Sequence, residues 1–293
     1  MLKEDVMLDK ILSVAKSCDN VRLVMMNGSR VNPKEKVDLC SDFDIVFFVD
    51  DFKKALDAKY DEFFEGKMLL HTSDDMIYLK DDRKDVFMYQ MLFKDKNRID
   101  LSLRPIEHLK DYIKEEPIYE IILDKDNHSI PKKQVDDNPF IIKKPSFDLF
   151  ESCIKTFLWL EPYVAKGLYR NEPIYALKHI TLLRDAFETM LKWKAGIKTD
   201  FDKVMGKAMK HLRYYLGEDV YKMYLKTYSA GDIKTLWNTL FYLHDKFLKV
   251  SKHVAKELNY SVDFSSFDDV KTYLRELKGL SMSNVAYDEY DIV

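Results

Sequence analysis

The sequence has few of the features that mark secreted or membrane proteins. It contains 3 cysteines in 293 residues, Cys18, Cys40 and Cys153, and their spacing matches neither a zinc site nor a disulfide framework. No apolar run approaches the ~20 residues that a membrane helix needs. No apolar segment follows the charged start at residues 1–5. We therefore expect a cytoplasmic protein without a membrane partner.

An excess of basic residues is also absent. The formal net charge is -3 and the isoelectric point is about 6.2. Proteins that bind nucleic acids usually carry a basic surplus, because neutralisation of phosphates dominates their affinity. We therefore expect no nucleic-acid partner, and the mild acidity is compatible with a cationic substrate.

The apolar residues that are present divide the chain into two halves. In the first half, short apolar runs rich in β-formers predict strands at residues 21–26, 43–49, 67–71, 86–93, 98–103 and 119–123. Helical spacing predicts helices at the start of the chain and at residues 52–64. After Ser146, a plausible helix N-cap, the spacing predicts helices at residues 147–168, 173–193, 201–215, 233–257 and 267–277. Gly167 and Gly196 are expected at helix C-caps.

This pattern predicts an α+β protein of two domains. The first, residues 1–140, is an α/β domain with a mixed sheet, and the second, residues 141–293, is an all-α helical bundle. The boundary is expected near residues 135–146, where the polar stretch Gln134–Pro139 includes a proline.

Carboxylates stand at the start of two predicted strands. Asp42 and Asp44 are two residues apart, so alternation along a strand points both side chains to one face. Their mutual repulsion is best offset by a divalent cation, and Mg²⁺ prefers such hard oxygen ligands. Asp100 begins another apolar strand and joins them if the two strands are neighbours. Asp100 is then either a third metal ligand or the general base for an acceptor hydroxyl.

The first strand runs into Gly28-Ser29-Arg30. Glycine lets a backbone approach a phosphate closely, Ser29 offers a hydroxyl and an N–H, and Arg30 adds a fixed charge with bidentate geometry. A Gly-Ser pair alone usually marks a turn, and an Asp-x-Asp pair alone is usually a solvated strand end. The combination in this order is far more specific, and it predicts a triphosphate on the loop with Mg²⁺ between phosphate and carboxylates.

This order of motifs resembles the polymerase-β-like nucleotidyltransferase superfamily. Further blocks resemble the aminoglycoside 6-adenylyltransferases, also called streptomycin adenylyltransferases, through nearly the whole chain: Asn27-Gly28-Ser29-Arg30, Ser41-Asp42-Phe43-Asp44, Ile99-Asp100-Leu101-Ser102-Leu103, Leu123-Asp124-Lys125-Asp126, Lys144-Pro145-Ser146, residues 162–168 and Arg170-Asn171-Glu172. The resemblance implies an N-terminal nucleotidyltransferase domain, a helical second domain and an active site between them.

The resemblance also implies the chemistry. ATP would be the co-substrate and Mg²⁺ the cofactor, and AMP would pass to a hydroxyl of an aminoglycoside such as streptomycin, which inactivates the antibiotic. Ser29 would contact the triphosphate, Asp42 and Asp44 would bind Mg²⁺, and Asp100 would occupy the third carboxylate position.

The sequence departs from the family pattern at several positions. Asn27 replaces the usual Glu before the Gly-Ser pair. Ser41 replaces the usual Gln before Asp42, and Phe43 replaces the usual Tyr. These changes leave the chemistry intact. Lys178 stands before His179 where the family typically has an acidic residue. If that acid helps to hold the cationic drug, its replacement affects recognition of streptomycin, while the ATP chemistry is unaffected.

Candidates for the acceptor pocket lie in the second half. A pocket for a polycationic drug needs carboxylates and aromatic faces. Glu151, Glu161 and Glu172 could supply the carboxylates, and Trp159 and Tyr163 the aromatic faces. Charged residues between apolar helix positions, however, usually form a solvated face. Glu172, at a predicted helix start in a family-like block, is the strongest, as a residue that orients the acceptor or acts as base. The alternatives are another small acceptor such as a lincosamide, and a non-catalytic nucleotide-binding relative. A monomer or a homodimer is compatible with the sequence.

Overall fold

A computed structural model describes residues 4–33, 35–78, 84–116, 118–130 and 141–283. The chain forms two compact units, Met1–Pro139 and Phe140–Val293. The segment Gln134–Pro139, where we expect the boundary, lies outside the described residues. Within the described ranges, no helix combines the length and the apolar character needed to cross a bilayer.

The described part of the first unit contains one sheet and three α-helices. Its described helices and strands are α1 Glu4–Ser17, β1 Val21–Asn27, β2 Phe43–Val49, α2 Phe52–Asp57, β3 Lys67–Thr72, β4 Phe87–Phe93, β5 Arg98–Pro105, α3 Leu109–Glu115 and β6 Tyr119–Asp124. The predicted helix at residues 52–64 is shorter than expected. It ends at Asp57, because Lys59 adopts the left-handed conformation, and a separate 3-10 turn covers Tyr60–Phe63.

The strands form one six-stranded mixed sheet in the order β3-β4-β5-β2-β1-β6. Strands β2 and β5 are parallel, and the other neighbouring pairs are antiparallel. The central strands β1 and β2 are buried along almost their whole length, as their continuous apolar runs require. Their side chains enter two apolar clusters, a larger one that includes Met7 and Ile11 of α1 and a smaller one that includes Leu109 of α3.

The second unit is helical, as predicted. Its described helices are α4 Phe147–Tyr169, α5 Pro173–Lys198, α6 Leu212–Leu225, α7 Ile233–Leu258 and α8 Ser265–Ser283. Ser146 caps α4, where its Oγ accepts a hydrogen bond from the backbone N–H of Leu149 at 3.2 Å. Phe157 of α4 stacks on Phe247 of α7 with ring centroids 3.7 Å apart, in the middle of the apolar core.

The helix predicted at residues 201–215 is wrong. Asp200 and Phe201 both have positive φ angles, which stops helical continuation after α5, and α6 begins only at Leu212. Gly217 (φ 84°, ψ 173°) then breaks the helical geometry inside α6.

The prediction that Gly167 and Gly196 cap helices is also wrong. Both lie inside helices, α4 and α5, where their lack of a side chain permits close packing. A Cβ atom on Gly167 would lie 2.8 Å from Cδ1 of Tyr175, and one on Gly196 would lie 2.5 Å from the ring of Phe201.

Candidate active site

Three carboxylates converge at one end of the parallel strand pair. Asp44 of β2 stands directly opposite Asp100 of β5 in the register, and Asp42 immediately precedes β2. One carboxylate oxygen from each of the three residues lies within 4.8 Å of the others, and all three side chains are partly exposed. We call Asp42, Asp44 and Asp100 the carboxylate cluster.

The electrostatics of the cluster favour a cation. Burial, together with the negative charges of Asp42 and Asp100, raises the pKa of Asp44 from 3.8 to about 6. Arg98 acts in the opposite direction but does not restore the ordinary value. Three hard oxygen donors whose negative charge Arg98 neutralises only in part fit a divalent ion such as Mg²⁺, which usually takes one or two protein carboxylates besides substrate phosphates.

Arg98 and Gln90 complete the surroundings of Asp100. Arg98 donates from Nε to Oδ1 of Asp100 at 2.8 Å and from Nη2 to Oδ2 at 2.5 Å, and its Nε lies 3.9 Å from Oδ2 of Asp42. Gln90 of β4 donates from Nε2 to Asp100 at 3.5 Å, and its Oε1 lies 3.0 Å from Nδ1 of His71. Asp100 is thus held by two residues that do not belong to the predicted site.

The sequence itself indicates that Arg98 lies beside Asp100. Arg98 precedes Asp100 by two residues, so strand alternation alone places both side chains on one face. Gln90 gives no such signal, because its position opposite Asp100 depends on the antiparallel pairing of β4 with β5.

The Gly-Ser segment lies against the cluster. Gly28, Ser29 and Arg30 form a single 3-10 turn directly after β1, and β1 pairs with β2, the strand that carries Asp44. Gly28 has φ +74°, and a Cβ atom there would overlap the Oδ2 atom of Asp44. Glycine is therefore required at this position for two reasons, its backbone conformation and the close carboxylate.

Arg30 contacts the protein itself in this structure. Its Nε donates to the carbonyl oxygen of Asp42 at 2.8 Å, its Nη2 donates to that of Ser41 at 2.8 Å, and its guanidinium lies 3.8 Å from the ring centroid of Phe43. Arg30 therefore ties the turn to the segment that carries the carboxylates. Its contact with phosphate stays a prediction.

Asn27, at the position where the resembling family usually has Glu, is buried at the end of β1. Its Nδ2 donates to the hydroxyl of Tyr112, while its buried Oδ1 has no hydrogen-bond partner among the described residues.

The predicted acceptor-pocket carboxylates differ widely in exposure. Glu172 is exposed directly before α5, and Glu151 pairs with Lys155 at 2.8 Å. Glu161 is entirely buried and contacts Nδ1 of His244 at 3.0 Å, and burial raises its pKa. Glu161 is thus part of the core of the helical unit, which removes it from the set of substrate-facing candidates.

Of the two aromatic residues predicted for this pocket, Trp159 is exposed, whereas Tyr163 belongs to an aromatic cluster. His179 lies between Tyr163 and Tyr175, with ring centroids 5.3 Å and 4.3 Å away, and Nζ of Lys166 lies 5.2 Å from the Tyr163 centroid. Lys178, the departure from the family pattern, is exposed.

The chain is similar to known proteins over most of its length. A family model described as streptomycin adenylyltransferase matches residues 1–277. An aminoglycoside 6-adenylyltransferase of Campylobacter jejuni is 32% identical over 262 residues, which cover 89% of this chain and 91% of the relative. Another, of Bacillus subtilis (strain 168), is 31% identical over 263 residues, 89% of this chain and 93% of the relative.

A crystal structure of an aminoglycoside 6-adenyltransferase from Bacillus subtilis is also similar. It is 28% identical in sequence, with coverage of 95% of this chain and 99% of that one, and the TM-score is 0.47.

Proposed function

The chain belongs to the streptomycin adenylyltransferase family of nucleotidyltransferases, and from this premise we propose that it transfers AMP from ATP to a hydroxyl of an aminoglycoside in a Mg²⁺-dependent reaction. One observation carries the proposal: the convergence of Asp42, Asp44 and Asp100 beside the Gly28–Arg30 turn. Streptomycin is the acceptor that the family description suggests, and inactivation of the antibiotic is the proposed role in a cytoplasmic setting.

The metal would be held by the carboxylate cluster. Asp42 and Asp44 are the proposed ligands, and Asp100 is proposed as a third ligand or as the base. Bound there, Mg²⁺ would neutralise the triphosphate and lower the cost of releasing pyrophosphate. The raised pKa of Asp44 supports this assignment, since a cluster that resists full ionisation by itself is stabilised by a cation.

The chain's own residues would bind and orient the reactants. Gly28 and Ser29 are proposed to receive the triphosphate, because a glycine backbone permits a close approach of phosphate and Ser29 offers a hydroxyl and an N–H. Arg30 keeps this turn attached to the main chain of residues 41 and 42. Positioning and electrostatic stabilisation account for most of the rate in such transfers.

The proton of the acceptor hydroxyl needs a base. Asp100 and Glu172 are the two candidates. The hydroxyl oxygen forms the new bond to the α-phosphorus as the bond to pyrophosphate breaks. The first unit, residues 1–140, is proposed as the catalytic domain, and the second, residues 141–293, as the acceptor-binding domain.

The test is pyrophosphate release from Mg·ATP with streptomycin present, followed by mass spectrometry of the drug. We expect a mass gain of one AMP with the wild-type protein and none with a folded Asp44→Asn variant. A folded Asp57→Asn variant is the matched control, since Asp57 is exposed at the end of α2. Normal turnover in Asp44→Asn would contradict the proposed mechanism.

A panel of further drugs separates the alternatives. Pyrophosphate release only with a different drug, such as a lincosamide, would support adenylyl transfer but with that drug as the acceptor. No release with any acceptor would favour a non-catalytic nucleotide-binding protein.

A further inference from the structure

A groove in the helical unit is lined mainly by cationic side chains. It has a volume of about 480 Å³ and lies between α5, α6 and α7. Its lysines are Lys194, Lys222, Lys226, Lys246 and Lys249, and His253 and Asp219 also line it. We call it the lysine groove.

Helical spacing creates this concentration of charge. Lys246, Lys249 and His253 follow Tyr242 at intervals of four, three and four residues, so they share one face of α7. Lys222 and Lys226 are four residues apart and share a face of α6. Three helices therefore bring cations to one concave surface, although no short segment of the sequence is unusually basic.

The charge in the groove is poorly neutralised. Five lysines stand against the single carboxylate of Asp219, in a chain whose net charge is -3. Lys222 lies 3.6 Å from Glu218, but no carboxylate of the described residues lies within 4 Å of Lys194, Lys226 or Lys249.

The cations also repel one another. Burial and the neighbouring charges of Lys249 and Lys198 lower the pKa of Lys194, which lies on α5. Burial and the charge of Lys194 likewise lower the pKa of His253. Like charges at helical neighbour positions cost stability, so packing alone does not favour this arrangement. An anion in the groove would remove the repulsion.

We propose that the lysine groove binds a small molecule that carries an oligophosphate chain. Lysine is a point charge that binds phosphate without demanding a planar partner. The volume is within the range of small-molecule sites. Val220, Met223 and Val250 supply an apolar part of the wall, which suits the organic portion of such a ligand. The proposal uses residues of the helical unit alone and does not depend on the proposed adenylyl transfer.

The probe is inorganic tripolyphosphate, titrated calorimetrically into the full-length protein in the presence of EDTA. The chelator removes divalent ions, so the carboxylate cluster cannot contribute a metal-bridged site. We expect binding that weakens as sodium chloride is raised, because the interaction is electrostatic. A Lys194→Gln/Lys249→Gln variant should bind at least tenfold more weakly.

A further variant controls for net charge. Lys234→Gln/Lys252→Gln removes the same number of charges from exposed positions of α7 outside the groove, and it should bind like the wild type. Equal binding by the groove variant, a loss of binding in this control, or no binding by the wild type at millimolar tripolyphosphate would overturn the proposal.

Folding of the groove variant is checked by its melting temperature. Because the substitutions relieve repulsion between the lysines, we expect the melting temperature of this variant without ligand to be equal to or higher than that of the wild type. If Lys194→Gln/Lys249→Gln does not fold, Lys226→Glu at the exposed position directly after α6 provides the same comparison. Binding of Lys226→Glu as tight as that of the wild type would then overturn the proposal.

Discussion

Gly28 lies so close to the carboxylate of Asp44 that no side chain fits between them. A Cβ atom at Gly28 would overlap Oδ2 of Asp44 and lie 3.0 Å from its Cγ. The turn that is proposed to receive phosphate and the carboxylate that is proposed to hold the metal are therefore in direct contact. Any side chain at position 28 must therefore displace the carboxylate of Asp44.

The first prediction concerns this contact. Gly28→Ala should abolish adenylyl transfer and reduce the free energy of unfolding by about 1–3 kcal/mol, since it adds both backbone strain and a clash. Gly66→Ala is the matched control: Gly66 has a similar φ of +79°, but nothing lies within 4 Å of its Cβ position. Denaturant unfolding and turnover of both variants test this, and full activity in Gly28→Ala would disprove it.

The second prediction concerns the charge of Asp44. The folded protein raises the pKa of this carboxyl from 3.8 to about 6, so folding favours its protonated form. The wild-type protein without metal should therefore lose stability as the pH rises from about 4 to about 6. Asp44→Asn removes this cost and should be more stable than the wild type at pH 7, by roughly 1–2 kcal/mol after solvent screening.

Chemical denaturation in EDTA at several pH values measures the difference. The advantage of Asp44→Asn should shrink as the pH falls below about 6, and it should vanish well below pH 3.8, where the wild-type carboxyl is protonated in both the folded and the unfolded state. Asp57→Asn, at an exposed position of α2, is the control variant. An Asp44→Asn variant that is less stable than the wild type at pH 7 would contradict the electrostatic description of the cluster.

The third prediction concerns Arg98. Its guanidinium occupies both oxygens of Asp100, so it competes with a divalent ion for the same donors. Arg98→Met should lower the stability of the metal-free protein and increase the rise in melting temperature caused by Mg²⁺. Arg22→Met is the control, because Arg22 also makes a two-point bond, to Asp126, away from the cluster. Equal Mg²⁺ responses in the wild type and Arg98→Met would show that no competition exists.

The fourth prediction separates the two roles proposed for Asp100. If Asp100 is a metal ligand, Asp100→Asn should lose both turnover and the stabilisation by Mg²⁺. If it is only the base, turnover should fall by about 10²–10⁴ while the stabilisation by Mg²⁺ is kept. Glu172→Gln should keep the stabilisation by Mg²⁺ whichever role Asp100 has. If turnover falls by about 10²–10⁴ in Glu172→Gln instead, Glu172 is the base.

The fifth prediction concerns Lys178. It is an exposed lysine where the family pattern typically has an acidic residue, and it would repel a cationic acceptor. Lys178→Glu should raise kcat/KM for streptomycin by about tenfold, equivalent to ~1.4 kcal/mol, with KM for ATP unchanged. Lys178→Gln should have a smaller effect in the same direction. An unchanged kcat/KM in Lys178→Glu would remove this residue from drug recognition.

Local patterns in the sequence were sufficient for most helices and strands. The runs at residues 21–26 and 43–49 are almost wholly apolar, and such runs become buried strands wherever they pair. Alternation along a strand likewise placed Asp42 and Asp44 on one face. The errors arose where local signals conflict with packing. Gly167 and Gly196 resemble helix ends, but they lie inside helices because neighbouring side chains leave no room for a Cβ.

The sequence by itself determined the family, the two-part organisation and the residue types at the candidate site, because these depend on order and local periodicity along the chain. Only the tertiary structure decided that β2 pairs with β5 in the register that sets Asp44 opposite Asp100, and that Gly28 touches Asp44. It likewise decided that Lys194 meets Lys249 in one groove. These contacts join residues that are far apart in the chain. Their geometry depends on how the helices and strands pack to bury apolar surface. The local pattern of charged residues does not encode that packing.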